Sequence, residues 1–114
     1  MKYTIDAQGK KLGRIASQAA SILMGKNVPT FEKNKVSGGI VEITNSGRLD
    51  ITALKKTRDI HVTYTGHRGG LNSESLGHMI GRVGMPTVLR QAVSRMLPNN
   101  KLRPLRMKNL IITE

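Results

Sequence analysis

The chain has 114 residues, no cysteine, and 19 Lys and Arg against 7 Asp and Glu, which gives a formal net charge of +12. A chain of this length can bury a stable core without disulfide bonds or metal ions. The absence of cysteine excludes a disulfide framework and a cysteine-based zinc cluster. No apolar run is long enough to cross a membrane or to act as a signal peptide, so we expect a soluble intracellular protein.

The first half of the chain predicts a strand, an amphipathic helix, a loop and a second strand. A short apolar run precedes Gly9, apolar residues then recur at helical spacing, and Gly25 is a typical helix stop. A proline, three charged residues and a Ser-Gly-Gly exit indicate the loop. The predicted elements are a strand at residues 3–7, a helix from residue 12 to 25, a loop at 27–38, a strand at 40–43, a turn at 45–47 and a weak extended piece at 49–52.

The second half predicts one further strand, then mostly helix. Pro86 suits the first turn of a helix whose apolar stripe ends at Pro98. The predicted elements are a strand at residues 59–63, a glycine-rich loop, a short helix at 73–80 capped by Ser73, the Pro86 helix, a helical turn at 102–107 and a strand at 110–113. Short apolar strands separated by helices favour an α/β fold, with a parallel sheet covered on both faces.

Net positive charge is concentrated in the last third of the chain. Between Glu74 and Glu114 there is no acid, although seven Lys and Arg residues fall in that interval. A one-signed segment repels itself unless a polyanion is near. The cations are dispersed over several predicted elements and form no basic amphipathic face, so nucleic acid is favoured over an anionic membrane as the partner.

Lys10, Lys11 and Arg14 surround the predicted start of the first helix. Gly9 and Lys10 lie where a phosphate-binding loop would lie, but the Walker pattern fails because Lys11 stands where a Ser or Thr is required. The free N–H groups of a helix N-terminus still favour an anion. Solvated side chains are the alternative for each cation alone, whereas the cluster indicates a phosphate contact.

The glycine-rich loop lies within the sequence VTYTGHRGG at residues 62–70. Its glycines allow the main chain to approach a ligand, and Thr65, His67 and Arg68 offer donors to phosphate or to a ribose hydroxyl. An ordinary turn that needs glycine at positive φ is the alternative. Three aromatic residues in the whole chain are too few for base stacking, so backbone contacts are the expected mode of RNA binding.

Catalysis and metal binding have little support in the sequence. The spacing of His61, His67 and His78 matches no zinc motif. A triad can be assembled on paper from Ser73, His67 and Asp59, but nothing resembles a nucleophile elbow. We expect no enzymatic activity, cofactor, metal ion or small-molecule substrate. A small nucleotide-binding hydrolase and a basic DNA-binding module stay open as alternatives.

Three stretches occur in order, YTIDAQGKKLGRIASQAA, HVTYTGHRGGL and QAVSRMLPNNKL. Together they resemble the bacterial form of the universal large-subunit ribosomal protein thirteen family, over essentially the whole chain. The resemblance implies a single three-layer α/β/α domain around a small, mostly parallel sheet of about four strands. It also implies binding to large-subunit ribosomal RNA, contacts with neighbouring ribosomal proteins, a cytoplasmic location in the ribosome and no enzymatic role.

The family's motifs fall on residues 6–14, 64–70 and 95–98. The chain departs from them at Tyr64, where the family usually has His, and at Arg95, where it has Gly. Pro104 likewise stands where an Arg commonly follows a Gly, which is here Arg103. We expect residues 1–114 to form one domain without the terminal extensions of many relatives.

The residues expected to contact RNA are basic side chains near helix ends together with the glycine-rich loop. They are Lys10, Lys11, Arg14, Lys55, Lys56, Arg58, Thr65, Gly66, His67, Arg68, Gly69, Gly70, Arg95, Lys101, Arg103, Arg106 and Lys108.

Overall fold

The structure is a computed structural model that describes residues 2–26, 29, 34 and 39–114. The predicted loop at residues 27–38 lies outside the described residues, apart from Pro29 and Asn34. The chain packs as two compact units, one formed by Met1–Asp50 with Met85–Glu114 and the other by Ile51–Gly84. Within the described ranges, no helix has the length and apolar character needed to cross a membrane.

In chain order the elements are β1 (Lys2–Asp6), α1 (Leu12–Met24), β2 (Ile40–Thr44), a 3₁₀ turn (Ser46–Arg48), α2 (Ala53–Arg58), β3 (Ile60–Tyr64), β4 (Leu71–Ser75), α3 (Leu76–Val83), α4 (Met85–Met96), α5 (Leu102–Met107) and β5 (Leu110–Ile112).

The first unit is built on a parallel sheet in the order β1-β2-β5. Successive side chains of a strand alternate between the two faces, and the face that carries Ile5, Val41, Ile43 and Leu110 is buried. The alternate positions are more exposed, as Ile111 shows at 43%. The core therefore lies on one side of this sheet, where its apolar face meets the helices.

Helix α1 forms because its apolar residues recur at helical spacing and face the core. It packs along α4. Its end is set by Gly25, whose φ of +84° is favourable only for glycine and whose N–H donates to the Ile22 carbonyl at 3.0 Å. The buried residues of the helix are Leu12, Ile15, Ala16, Ala19, Ala20 and Leu23. The predicted helix and its glycine stop are confirmed.

The second unit consists of α2, an antiparallel hairpin of β3 and β4, and α3. Helix α3 buries Leu76 and Met79. Helices α2 and α3 approach closely at Gly77, where an added Cβ would lie 3.2 Å from the Cβ of Lys56. A glycine at this point of α3 therefore lets the two short helices pack together.

The α/β class is confirmed, with two differences in the sheet. The expectation was about four mostly parallel strands covered on both faces, and the parallel sheet has three, with one face partly open among the described residues. The missing strand is β3, which pairs with β4. Its apolar residues alternate with polar ones, which is typical of an antiparallel strand, and its partner is reached through a short turn, which also favours antiparallel pairing.

Two local predictions are wrong. The helix expected at residues 73–80 with Ser73 as its cap is a strand up to Ser75, and α3 begins one residue later with the Ser75 hydroxyl accepting from the N–H of His78 at 3.3 Å. The extended piece expected at residues 49–52 forms no strand. Thr52 instead caps α2 by accepting from the N–H of Lys55 at 3.2 Å.

Candidate nucleic-acid interface

The loop between β1 and α1 places Lys10 and Lys11 at the start of the helix. The N–H of Gly9 donates to the carbonyl of Arg48 at 3.0 Å, and the N–H of Asp50 donates to the carbonyl of Lys10 at 2.9 Å. Gly9 has a φ of +69°, which a side chain would strain. These backbone bonds tie the loop to the segment after β2 and hold the main chain that carries the two lysines.

The first turn of α1 is open to an anion. It contains no acidic residue, and no side chain caps its N–H groups. These groups and the helix dipole attract negative charge. Lys11 forms an ion pair with Asp50. For Lys10 and Arg14, no carboxylate of the described residues lies within 4.0 Å, so both exposed cations are available to a phosphate.

An open depression of about 680 Å³ follows α1 from Gly9 to Ser21. Lys10 and Arg14 border it near the helix start, and Ser17 and Gln18 line it further along. The cationic end suits a phosphate, while hydroxyl and amide groups can hydrogen-bond to sugar or phosphate oxygens. The depression therefore offers the chemistry needed along a short piece of nucleic-acid backbone.

Arg48 was missed by the sequence analysis and lies beside this cluster. Both Arg48 and Lys10 act electrostatically on the carboxylate of Asp6. The pKa of Asp6 is lowered mainly by a hydrogen bond from the Asn45 side chain, then by the N–H of Gln8, and to a smaller extent by the charges of Lys10 and Arg48. The distances from the Asp6 carboxylate to Asn45 Nδ2 and to the Gln8 nitrogen are both 3.0 Å. The signal was available, because the carboxyl ends of neighbouring parallel strands meet at one edge of a sheet.

The C-terminal cations lie around α5 in the first unit. Lys101 and Lys108, which flank the helix, are exposed, and Arg103 within it is half-buried. Arg95 is exposed near the end of α4. Arg106, which the sequence also assigns to the RNA-contacting set, is only 1% exposed. Its position on α5 places the side chain in the interior of the unit, so Arg106 does not belong to the exposed basic surface.

In the second unit the glycine-rich loop forms the tip of the β3–β4 hairpin. The N–H of Thr65 donates to the carbonyl of Gly70 at 3.1 Å, and the N–H of Gly70 donates to the carbonyl of His67 at 3.0 Å. Gly66 and Gly69 have φ values of +85° and +76°. An added Cβ at Gly70 would lie 1.8 Å from the Thr65 hydroxyl oxygen. The glycines are therefore required by the turn itself.

This turn presents His67 and Arg68 at the end of the hairpin, where both are exposed. The remaining predicted cations of the unit, Lys55, Lys56 and Arg58, lie on α2 and are also exposed. Lys55 is 3.8 Å from Asp59, an exposed pair that contributes little to stability. No described residues form a cluster of three or more potential metal ligands.

The sequence profile of the family described as Ribosomal protein L13 matches residues 1–113. The chain belongs to this family. Similar relatives are each called Large ribosomal subunit protein uL13. The protein of Sulfurihydrogenibium sp. is 42% identical over 109 residues, which cover 95% of this chain and 71% of the relative. The protein of Symbiobacterium thermophilum is 39% identical over 100 residues, covering 88% of this chain and 69% of the relative.

A third relative, from Rubrobacter xylanophilus, is 36% identical over 110 residues, covering 96% of this chain and 76% of its own length.

Members of the ribosomal protein L13 family are structural components of the large subunit, and binding ribosomal RNA is their general role. The chain is therefore a structural ribosomal protein and not an enzyme. Membership decides against the nucleotide-hydrolase and DNA-binding alternatives.

Proposed function

We propose that this chain stabilises folded large-subunit ribosomal RNA through phosphate contacts made by its exposed basic surfaces. The observation that carries the proposal is the start of α1, where Lys10 and Arg14 stand beside uncapped N–H groups and an open depression. Cations placed between RNA helices reduce the repulsion of phosphates that folding brings together. The contribution is electrostatic and geometric, and no covalent bond changes.

The hairpin tip is the second proposed contact. Its backbone bonds hold the turn without help from a ligand, so Arg68 and His67 are presented in a fixed place before RNA arrives. The exposed side chains of Arg68 and His67 can donate to the phosphates and sugars of RNA, and such contacts do not depend on the base sequence. The three cations of α2 extend the basic character of this unit.

The third proposed contact is formed by Arg95, Lys101, Arg103 and Lys108, with Arg106 excluded because its side chain is buried. The partners of the chain are the RNA of the large subunit and the ribosomal proteins next to it. In a bacterial cell this places the protein in the cytoplasm, as part of the ribosome.

A competition experiment tests this function. The purified chain is bound to a folded segment of large-subunit ribosomal RNA and challenged with duplex DNA carrying the same number of phosphates. We expect the RNA to be preferred by at least about a hundredfold, because specific recognition of a folded nucleic acid exceeds nonspecific phosphate binding by that much or more. Equal affinity for the two polyanions would contradict the proposal.

A further inference from the structure

One face of the β3–β4 hairpin carries large apolar side chains that are exposed. Ile60, Val62 and Tyr64 alternate along β3 and so share a face, and Leu71 joins them because it pairs with Tyr64 across the hairpin. Their exposed fractions lie between 54% and 66%. These four residues form the hairpin face.

The opposite face of the hairpin is engaged by polar contacts. There His61 of β3 pairs across the strands with Glu74. The carboxylate of Glu74 accepts two hydrogen bonds from the guanidinium of Arg82 on α3, and His78 Nδ1 lies 3.8 Å from it. An antiparallel sheet with one solvated face usually turns its apolar side chains inward. Here the polar side is the engaged side and the apolar side is open, which is typical of a surface that a partner covers.

The charge of the two strands indicates what kind of partner fits. Neither IHVTY nor LNSES contains a Lys or Arg, although the chain has 19 of them. An RNA backbone would find no cation on the hairpin face, and Tyr64 is its sole aromatic residue, so a stacking row for bases is missing as well. The cation of the hairpin is Arg68 at the tip.

A second copy of the chain is also a poor fit. Two molecules with a formal charge of +12 each repel one another, and the face offers no ion pair to offset this repulsion. An apolar, uncharged surface on a different protein meets neither obstacle.

We propose that the hairpin face docks onto an apolar patch of a neighbouring protein of the large subunit, while the hairpin tip contacts RNA. The inference rests on the proposed function for its setting and adds a protein contact to it. Burial of apolar side chains is insensitive to the salt that weakens phosphate contacts. The hairpin would therefore hold the chain to the subunit by two contacts. High salt weakens the phosphate contact of the tip and leaves the apolar contact of the hairpin face in place.

Site-specific photocrosslinking tests the contact in assembled large subunits. The photoreactive residue benzoylphenylalanine is placed at position 62 in the full chain and, as a control, at position 68. We expect position 62 to give an adduct that survives ribonuclease and has the added mass of one other large-subunit protein. We expect position 68 to give an adduct that ribonuclease shortens. An adduct with RNA or with a second copy at position 62, or none while position 68 reacts, would overturn the proposal.

A polar variant gives an independent measurement. Ile60→Thr with Val62→Thr keeps β-branched side chains, so the strand is retained, and the matched control is Ile40→Thr with Ile111→Thr on the parallel sheet. We expect the hairpin variant to remain on subunits roughly tenfold less than the control after a high-salt wash. Retention equal to that of the control contradicts the inference.

Binding of the same two variants to isolated ribosomal RNA separates the two proposals. The hairpin variant should bind this RNA as tightly as the unmodified chain, because neither Ile60 nor Val62 is part of the basic surfaces. Weak RNA binding by the unmodified chain would count against the proposed function. Normal RNA binding combined with normal subunit retention of the hairpin variant would count against the docking face alone.

Discussion

Replacing Lys10 and Arg14 together with alanine removes the two cations of the α1 start that have no carboxylate within 4.0 Å among the described residues. Lys11 is left in place because its charge is already paired with Asp50. Both substituted side chains are exposed, so the fold should be unaffected. The expected effect is confined to RNA binding and to its dependence on salt.

The size of the effect follows from the number of phosphates released. Each lost phosphate contact lowers the slope of log K against log salt by about 0.7 to 0.9, so the double variant should lose about 1.4 to 1.8. At 0.1 M salt this corresponds to an affinity roughly 25- to 60-fold weaker, provided that the remaining contacts are unchanged. Titration of labelled large-subunit RNA at several salt concentrations measures both quantities.

The matched control is Lys2→Ala with Arg82→Ala, which loses the same charge. In the folded chain these cations are already paired, Lys2 with Glu42 at 2.8 Å and Arg82 with Glu74. The control should therefore keep most of the slope. If both double variants lower the slope equally, net charge governs binding and the assignment of a phosphate site at α1 is refuted.

Three further predictions concern the second unit. Gly70→Ala should destabilise it by about 1 to 3 kcal/mol, because the new Cβ would lie 1.8 Å from a threonine hydroxyl of the same turn, and amide hydrogen exchange of the hairpin should report the loss. Ser75→Ala should lower the free energy of unfolding in denaturant by about 1 kcal/mol through the lost helix cap, whereas Ser73→Ala should be nearly neutral. A larger loss in Ser73→Ala than in Ser75→Ala would indicate that the helix begins at Ser73 instead. The pKa of Glu74 is lowered, mainly by the hydrogen bond from Arg82. The ionised carboxylate therefore contributes its full stabilisation above the ordinary pKa of a glutamate, and this stabilisation is lost as the pH falls through the lowered pKa of Glu74. Unfolding measured on the acid side of neutrality should thus show a weaker pH dependence in Glu74→Gln than in the unmodified chain, and identical profiles would exclude this role.

Elements with a periodic apolar stripe could be predicted from the sequence. Helix α1 between its cationic start and Gly25, and α4 between Pro86 and Pro98, both bury such a stripe, and their stop signals are local. Helix α2 gave no such signal because all six of its residues are exposed. The last three residues of strand β4 were predicted as helix because their polar sequence is compatible with either state, and the pairing with β3 makes them a strand.

The candidate site was predictable to the extent that charge implies exposure. Lys and Arg are seldom fully buried, and apart from Arg106 the predicted cations are exposed or half-buried. Arg106 is the exception because its place on α5 turns it toward the interior. Arg48 and Lys10 are far apart in sequence, and the signal that groups them is the predicted parallel sheet, in which the pairing of β1 with β2 brings their loops to the same edge.

The location of the chain in a fractionated lysate tests the central claim most directly. After sedimentation at low salt, the chain should be found with large ribosomal subunits, and ribonuclease should release it to the light fractions. A rising salt wash should remove the Lys10→Ala, Arg14→Ala double variant before the unmodified chain. A chain that sediments alone at low salt, or that ribonuclease leaves in place, would contradict the conclusion that phosphate contacts with ribosomal RNA hold it there.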